Sequence, residues 1–551
     1  MVHKSFRMKF MVNLREKEMK ATSYLGGLKD KITSNLIVTV IVSILILVSA
    51  ILVKLEMSEW IFSNIGSAFT HTLGEPVNGT VYWYFETYSD ADYYYEAYLD
   101  AFRGGWNPYK RYTDRLDFYV YGPIFIYGLY FTSLLVQLFN PSMTSTILIE
   151  ESVKWTAINF DALSAVMVYL IIINFSFTKD RKIYKHLLGI IGAFAFIFMP
   201  FNLFYVDTYY LNIPQMTFFT LIGFLLVMKK KYKLSAYSLT LAWLTKQMPL
   251  FLIIPIFSMI WKEHDLKTAV KRFLRPFLLS TLLLSIPWIF ITPILYIGRI
   301  LAAGRPLWYA TLDPIGNAHG TTLAHSILYG GAEGLAQFYV WINIPMIPFI
   351  LFYGFSLFIG HFNGKKLAND DKMFTIYITW VIMITHTFIS RGLFKYYDAF
   401  FTPFFILSAI VLSNTLIEKL RDYFRKRKNK DIITKVEEST SRKNRHIGKG
   451  VLEILCILIL TLGIYYYSWI IMIKIRFLHP LFLLLLTMFI SLFIPWRYYK
   501  EIGKKTNYKQ LKQDFKDFFK YVKQSIINSY RIIKNVIIRF FKKLKSIFTK
   551  K

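Results

Sequence analysis

Apolar runs close to membrane-spanning length recur along most of the chain, separated by short segments in which lysine and arginine gather. About 20 apolar residues in a helix cross the hydrocarbon core of a bilayer, and only helices or closed barrels satisfy their backbone there. The pattern predicts an all-α, polytopic membrane protein. Composition agrees, since 55% of the 551 residues are hydrophobic and 18% are aromatic. A formal net charge of +32 would by itself suit a nucleic-acid binder. The positive residues, however, sit between the apolar runs, where membrane topology demands them, so no nucleic-acid partner is expected. The only cysteine, Cys456, lies in an apolar run. This excludes an intramolecular disulfide or a cysteine metal site. The basic, polar N-terminus and the long first apolar run argue against a cleavable signal peptide.

Charge also orders the spans. Residues Lys4 to Lys31 are basic and precede the span Asn35 to Val53, which places the N-terminus inside and Lys54 onward outside. Lys179 to His186, Lys229 to Lys233 and Lys262 to Arg275 must also be inside. These assignments conflict if Phe118 to Phe139 crosses the membrane. They agree if that segment is a juxtamembrane or partly inserted helix within a long external loop, residues 54–154. The spans Trp155 to Phe177, Leu187 to Val206 and Ile213 to Met228 then follow. Leu234 to Trp261 reads as two short helices with Thr245-Lys-Gln-Met-Pro249 at their external turn, and Phe273 to Ile297 leads to an external loop at 298–337. Phe338 to Gly360, Met373 to Ser390 and Ala399 to Ile417 complete the main module. The expected organisation is a basic segment (1–34), a membrane module (35–417), a basic linker (418–450), a hairpin (451–495) and a basic tail (496–551). That makes about twelve spans, with both termini cytoplasmic. In the tail, Leu511, Phe515, Phe518, Val522 and Ile526 recur at helical spacing among lysines. An amphipathic helix of this kind lies on anionic lipid.

The most unusual stretch is Tyr88-Ser-Asp-Ala-Asp-Tyr-Tyr-Tyr-Glu-Ala-Tyr98 in the long external loop. Asp90 and Asp92 can face one cavity, with Tyr93 and Tyr109 offering stacking faces to a sugar. Equally, Ser89 or Asp90 could cap a helix whose dipole favours Asp92. Lys246 lies between apolar helices, where a lysine is costly and marks a functional site unless it snorkels from a helix end. Asp161, inside a span, reads as a packing or polar-network residue. His319, His325 and His386 are scattered and read as surface or satisfied side chains. Asn78-Gly-Thr80 is a glycosylation acceptor sequence on the external side.

Asp90-Ala-Asp92-Tyr93, Gly104-Gly-Trp-Asn-Pro-Tyr109-Lys-Arg and Tyr121-Gly-Pro123 together resemble the first external loop of the C-type (GT-C) glycosyltransferases. Within that superfamily the chain is most similar to the GPI mannosyltransferase I catalytic family and its prokaryotic relatives. Phe160-Asp161-Ala-Leu, Pro200 to Asp207 and Leu241 to Pro249 resemble further stretches of the superfamily, so the resemblance covers roughly 35–417. It implies a GT-C fold with juxtamembrane helices in the first external loop. The implied activity moves a sugar, commonly mannose, from a polyprenyl or dolichyl phosphate to a glycan, lipid-linked or protein acceptor. On this resemblance Asp90 is the base, Asp92 orients the acceptor or shares a cation, and Asp207 contacts acceptor or sugar. Lys246, Arg391, Lys395 and Tyr396 lie near the donor phosphate. No cofactor is certain; a divalent metal on Asp90 and Asp92 is open, because hard-cation sites need more oxygen ligands than these carboxylates supply. Two features depart from the family: the spacer after Asp92 is slightly short, and Asp207 stands in Tyr-Val-Asp-Thr-Tyr. A polyprenyl-lipid or glycan transporter is the alternative. The acidic external loop and the lack of internal repeats weigh against it.

Overall fold

The computed structural model describes residues 35–60, 96–109, 119, 121–178, 182–200, 202, 203, 206, 212–302, 343–388 and 398–428, with isolated tail positions between 513 and 538. Among the described residues the chain is mostly helical (88%) and contains no strand. The helices are α1 (Asn35–Trp60), α2 (Glu96–Arg103), α3 (Pro123–Phe139), α4 (Ser145–Ile173) and α5 (Lys182–Ile197). They continue with α6 (Ile213–Met228), α7 (Tyr232–Thr245), α8 (Leu250–Glu263) and α9 (Leu266–Ile291). The last four are α10 (Pro293–Ala302), α11 (Asn343–Phe362), α12 (Asp371–Phe388) and α13 (Asp398–Lys428). Three of them, α1, α4 and α9, are long and apolar enough to cross a membrane; shorter apolar helices include α3 and α6.

Several boundaries differ from the sequence reading. Helix α1 does not end at Val53 but continues to Trp60, because Lys54 points into the bundle and pairs there with Asp161 of α4. Ile46, Ala50, Lys54 and Ser58 are buried and recur every fourth residue. They form one seam along α1, while Leu36, Ile41, Leu45 and Leu52 remain exposed on its other faces. Helix α4 begins at Ser145 rather than Trp155. The run expected over Phe273 to Ile297 breaks at Thr292, and Pro293 opens α10, where its missing N–H costs no helix bond. Helix α13 carries on through Lys428, well into the basic stretch expected to be a linker.

The pair of short helices around Lys246 is present as α7 and α8, 14 residues each. Lys246 is extended (φ −154°, ψ 148°) and caps the end of α7, its amide donating to Ala242 O at 3.1 Å. Helix α7 packs on α6 and on α9, where Thr240 Oγ1 meets Ser280 Oγ at 2.7 Å and the Trp243 indole donates to Thr281 Oγ1 at 3.0 Å. Such small and polar residues interlock helices where lipid offers no hydrophobic drive.

The bundle has two unlike ends. At one end Lys230 Nζ donates to Glu263 Oε1 and to Asn369 Oδ1, both at 2.7 Å. Lys372 Nζ donates to Glu418 Oε2 at 2.8 Å, and the Ser176 amide donates to Asp371 Oδ2 at 2.8 Å. The Lys229–Lys233 and Lys262–Arg275 segments thus gather with the end of α4. At the other end, Gln215 Nε2 in the first turn of α6 donates to Ile124 O at 3.1 Å. There the Trp288 indole near the end of α9 donates to the Tyr127 hydroxyl at 3.0 Å. Helix α3 starts at this second end and runs beside the N-terminal part of α4. Its 17 residues span about 25 Å, short of the ~30 Å hydrocarbon core. The N-terminal half of α3 is buried, whereas Phe131, Leu138 and Phe139 are exposed.

Candidate functional site

The segment leading into α3 is built from caps. Helix α2 ends in a Schellman motif, with Trp106 N donating to Ala101 O at 2.8 Å and Gly105 N to Phe102 O at 3.2 Å. Gly105 stands at φ +76°, which only glycine adopts without strain. Asn107 then accepts from the Tyr109 amide at 2.9 Å and reaches Thr292 Oγ1 at 3.3 Å. The Gly104-Gly-Trp-Asn-Pro-Tyr109 stretch is therefore a helix stop followed by a side-chain-braced turn.

That turn delivers Tyr109 into an aromatic cluster. Its ring packs edge-on against Tyr119, Trp288 and Tyr296, with centroids 5.2, 5.1 and 5.0 Å away. It is fully buried, and its hydroxyl donates to Tyr121 O at 3.0 Å. Tyr119 donates to Gly122 O at 2.8 Å and accepts from the Ile126 amide at 3.2 Å. Burial holds both phenols well above their ordinary pKa, so they stay protonated donors. Tyr109, expected to contact acceptor or sugar, here braces the loop and offers no open ring face.

The loop is pinned so that Tyr121 lies over Lys246. Gly122 passes so close to α7 that a Cβ there would fall 2.0 Å from Leu244 O. The Lys246 ammonium sits 5.5 Å from the Tyr121 ring centroid, a cation–π contact, and donates to Asn212 Oδ1 at 2.8 Å. Lys246 is only 3% exposed, so it does not snorkel into open solvent. One turn deeper, the buried pair of Lys54 and Asp161 is joined by Asn202, whose Nδ2 donates to Asp161 Oδ1 at 2.9 Å. Lys54 also lies 5.7 Å from the Phe196 ring centroid. Asp161 thus belongs to a buried polar network.

Of the residues assigned to chemistry, Tyr109 and Lys246 are described, and Lys246 is brought to the Tyr121-Gly-Pro123 stretch. Asp90, Asp92, Tyr93, Asp207, Arg391, Lys395 and Tyr396 lie outside the described residues, as do Asn78, His319, His325, the 451–495 hairpin and most of the tail. Among the described residues no group of three histidines, cysteines or carboxylates could hold a metal ion. Sequence reasoning singled out Tyr121 only as part of a motif, and it missed the roles of Lys54, Asn202 and Asn212. Amides within apolar runs were the available signal for the last two. No protein-family model matches the chain, and no curated protein matches it at a significant level.

Proposed function

We propose that this chain is an integral-membrane, inverting glycosyltransferase of GT-C type. It moves a sugar, mannose first among candidates, from a polyprenyl or dolichyl phosphate to a glycan, lipid-linked or protein acceptor. One observation carries the reading. Stretches that resemble the superfamily separately in sequence meet in space. Tyr121-Gly-Pro123 closes over Lys246 of the Leu241–Pro249 stretch, and Phe160-Asp161 meets Asn202 of the Pro200–Asp207 stretch. A transferase needs a base for the acceptor hydroxyl and cations for the departing phosphate. Asp90 takes the first role, with Asp92 orienting the acceptor. Lys246, together with Arg391, Lys395 and Tyr396, takes the second.

The orientation follows from charge. The end that gathers Lys229–Lys233 and Lys262–Arg275 faces the cytoplasm, and the Lys246 end faces the external or lumenal side. On this reading α3 is a juxtamembrane helix, the full chain has about twelve spans, and the tail rests on anionic lipid. The test is incubation of the purified chain with labelled polyprenyl-phosphate mannose or glucose, followed by product analysis. Transfer should fall ~10²–10⁴-fold in Asp90→Asn. A folded, inserted Asp90→Asn chain that transfers at the wild-type rate rules out Asp90 as base, and absence of transfer with both donors removes the transferase reading.

A further inference from the structure

Between α3, α4 and the first turn of α6 lies a cavity of about 10 Å³. Phe125 and Leu129 of α3, Thr156 and Ala157 of α4, and Asn212 and Gln215 are among the residues that line it. The last two are 2% and 3% exposed. Their amides cannot be exchanged end for end without losing a bond. Lys246 Nζ donates to Asn212 Oδ1 at 2.8 Å, which leaves Nδ2 as the other end. Gln215 Nε2 donates to Ile124 O at 3.1 Å, which leaves Oε1. Asn212 Nδ2 and Gln215 Oε1 are buried and make no hydrogen bond among the described residues.

One unpartnered donor and one unpartnered acceptor therefore belong to residues that line the same cavity, whose other polar side chain, Thr156, already donates its hydroxyl to Ser152 O at 2.7 Å. Leaving such groups unmet is costly in a medium without water. A cation would confront the Asn212 N–H, and an anion would confront Gln215 Oε1. A neutral O–H group both accepts and donates, and so satisfies both. The space is about that of one water-sized oxygen, too small for a ring.

We propose that this cavity binds a single hydroxyl oxygen, which accepts from Asn212 Nδ2 and donates to Gln215 Oε1. Through Asn212 the bound group steadies the Lys246 ammonium. Its source is either a trapped water or the hydroxyl of an amphiphile lodged between α3 and α4. The site stands on the cavity and the two amides and does not depend on the transferase reading.

The sign of a cavity-filling substitution tests it. In the full chain in lipid nanodiscs, Ala157→Val places methyl groups in the cavity. If a hydroxyl oxygen is expelled, the melting temperature falls by about 2 °C or more, and the fall disappears in a Gln215→Met background, where the acceptor is already gone. A rise or no change in Ala157→Val identifies a dry void and overturns the proposal. So does an equal fall in the Gln215→Met background, which identifies overpacking. A cryo-EM map that resolves other ordered waters gives a second reading without any variant. A peak within hydrogen-bond distance of both amides supports the site, and its absence overturns it. Monoolein and methyl oleate distinguish the sources. Greater stabilisation by monoolein, lost in Gln215→Met, identifies an amphiphile hydroxyl; equal effects of the two lipids, with the peak present, identify water.

Discussion

Removing one member of the Lys54–Asp161 pair should damage the protein far more than removing both. The two side chains are 0% and 1% exposed and belong to residues 107 apart in sequence, on α1 and α4. Lys54→Met preserves the length of the side chain but strands a carboxylate that Asn202 alone does not neutralise. Asp161→Asn keeps the shape and strands an ammonium. Breaking a buried pair from one side costs about 3–5 kcal/mol, whereas replacing both partners by neutral groups of similar volume is near neutral. In the double variant Asn202 can still donate to the amide oxygen at 161, so that bond survives. Each single variant should therefore lose about 3–5 kcal/mol and the double only ~1 kcal/mol, a coupling of several kcal/mol. Equilibrium unfolding in bicelles, with all four chains compared, measures it. A double variant that costs the sum of the singles would refute the reasoning, since the two charges would then not be solving each other's desolvation.

Three further outcomes follow from other contacts. Gly122→Ala forces a methyl against the Leu244 carbonyl at 2.0 Å, so it should destabilise by about 1–3 kcal/mol and reduce Tyr121–Lys246 proximity in a crosslinking assay. Lys246→Gln keeps a donor for Asn212 but removes the charge. On the proposed function it should slow transfer from polyprenyl-phosphate sugar while leaving the melting temperature nearly unchanged, and unaltered kinetics would exclude Lys246 from the phosphate site. Asp265 caps α9, accepting from the Thr268 amide at 2.8 Å; Asp265→Ala should cost about 1 kcal/mol at neutral pH. Bonds from the Thr268 hydroxyl and amide hold the Asp265 carboxyl below its usual value of 3.8. A depressed folded pKa gives stability that is present above 3.8 and lost as pH falls through the folded value, so wild type and Asp265→Ala should converge in acid.

Much of the helical framework was legible because its signals are local. The break at Lys246 was readable from an apolar run long enough for two short helices with inside charges at both its ends, and Asp161 announced itself as a polar group in an apolar run. What escaped depended on partners distant in sequence. Lys54 was expected to open a loop, since a lysine after an apolar run ends a span by default; its burial depends on a carboxylate on another helix. Tyr109 was expected to face a ligand. Tyrosine abundance marks a region but does not say which rings turn inward, and here Trp288 and Tyr296 of a distant segment decide it. Gly104-Gly was legible only as part of a motif, whereas its backbone role required the φ of Gly105. Asn212 and Asn202 could be flagged only as amides in apolar surroundings; which role each plays depends on what it meets.

The seam along α1 bears on how the protein is made. Lys54 leaves the ribosome before its counter-ion, separated from Asp161 by 107 residues. At ~5–20 residues per second the lysine waits roughly 5–20 s for its partner. Until then an ammonium at the far end of the apolar run can reach the interface, so drawing Lys54 into the bundle is a step that follows the arrival of α4. The ion pair therefore orders assembly, and a chain truncated before Asp161 should leave Lys54 open to amine-reactive labels that the full chain excludes.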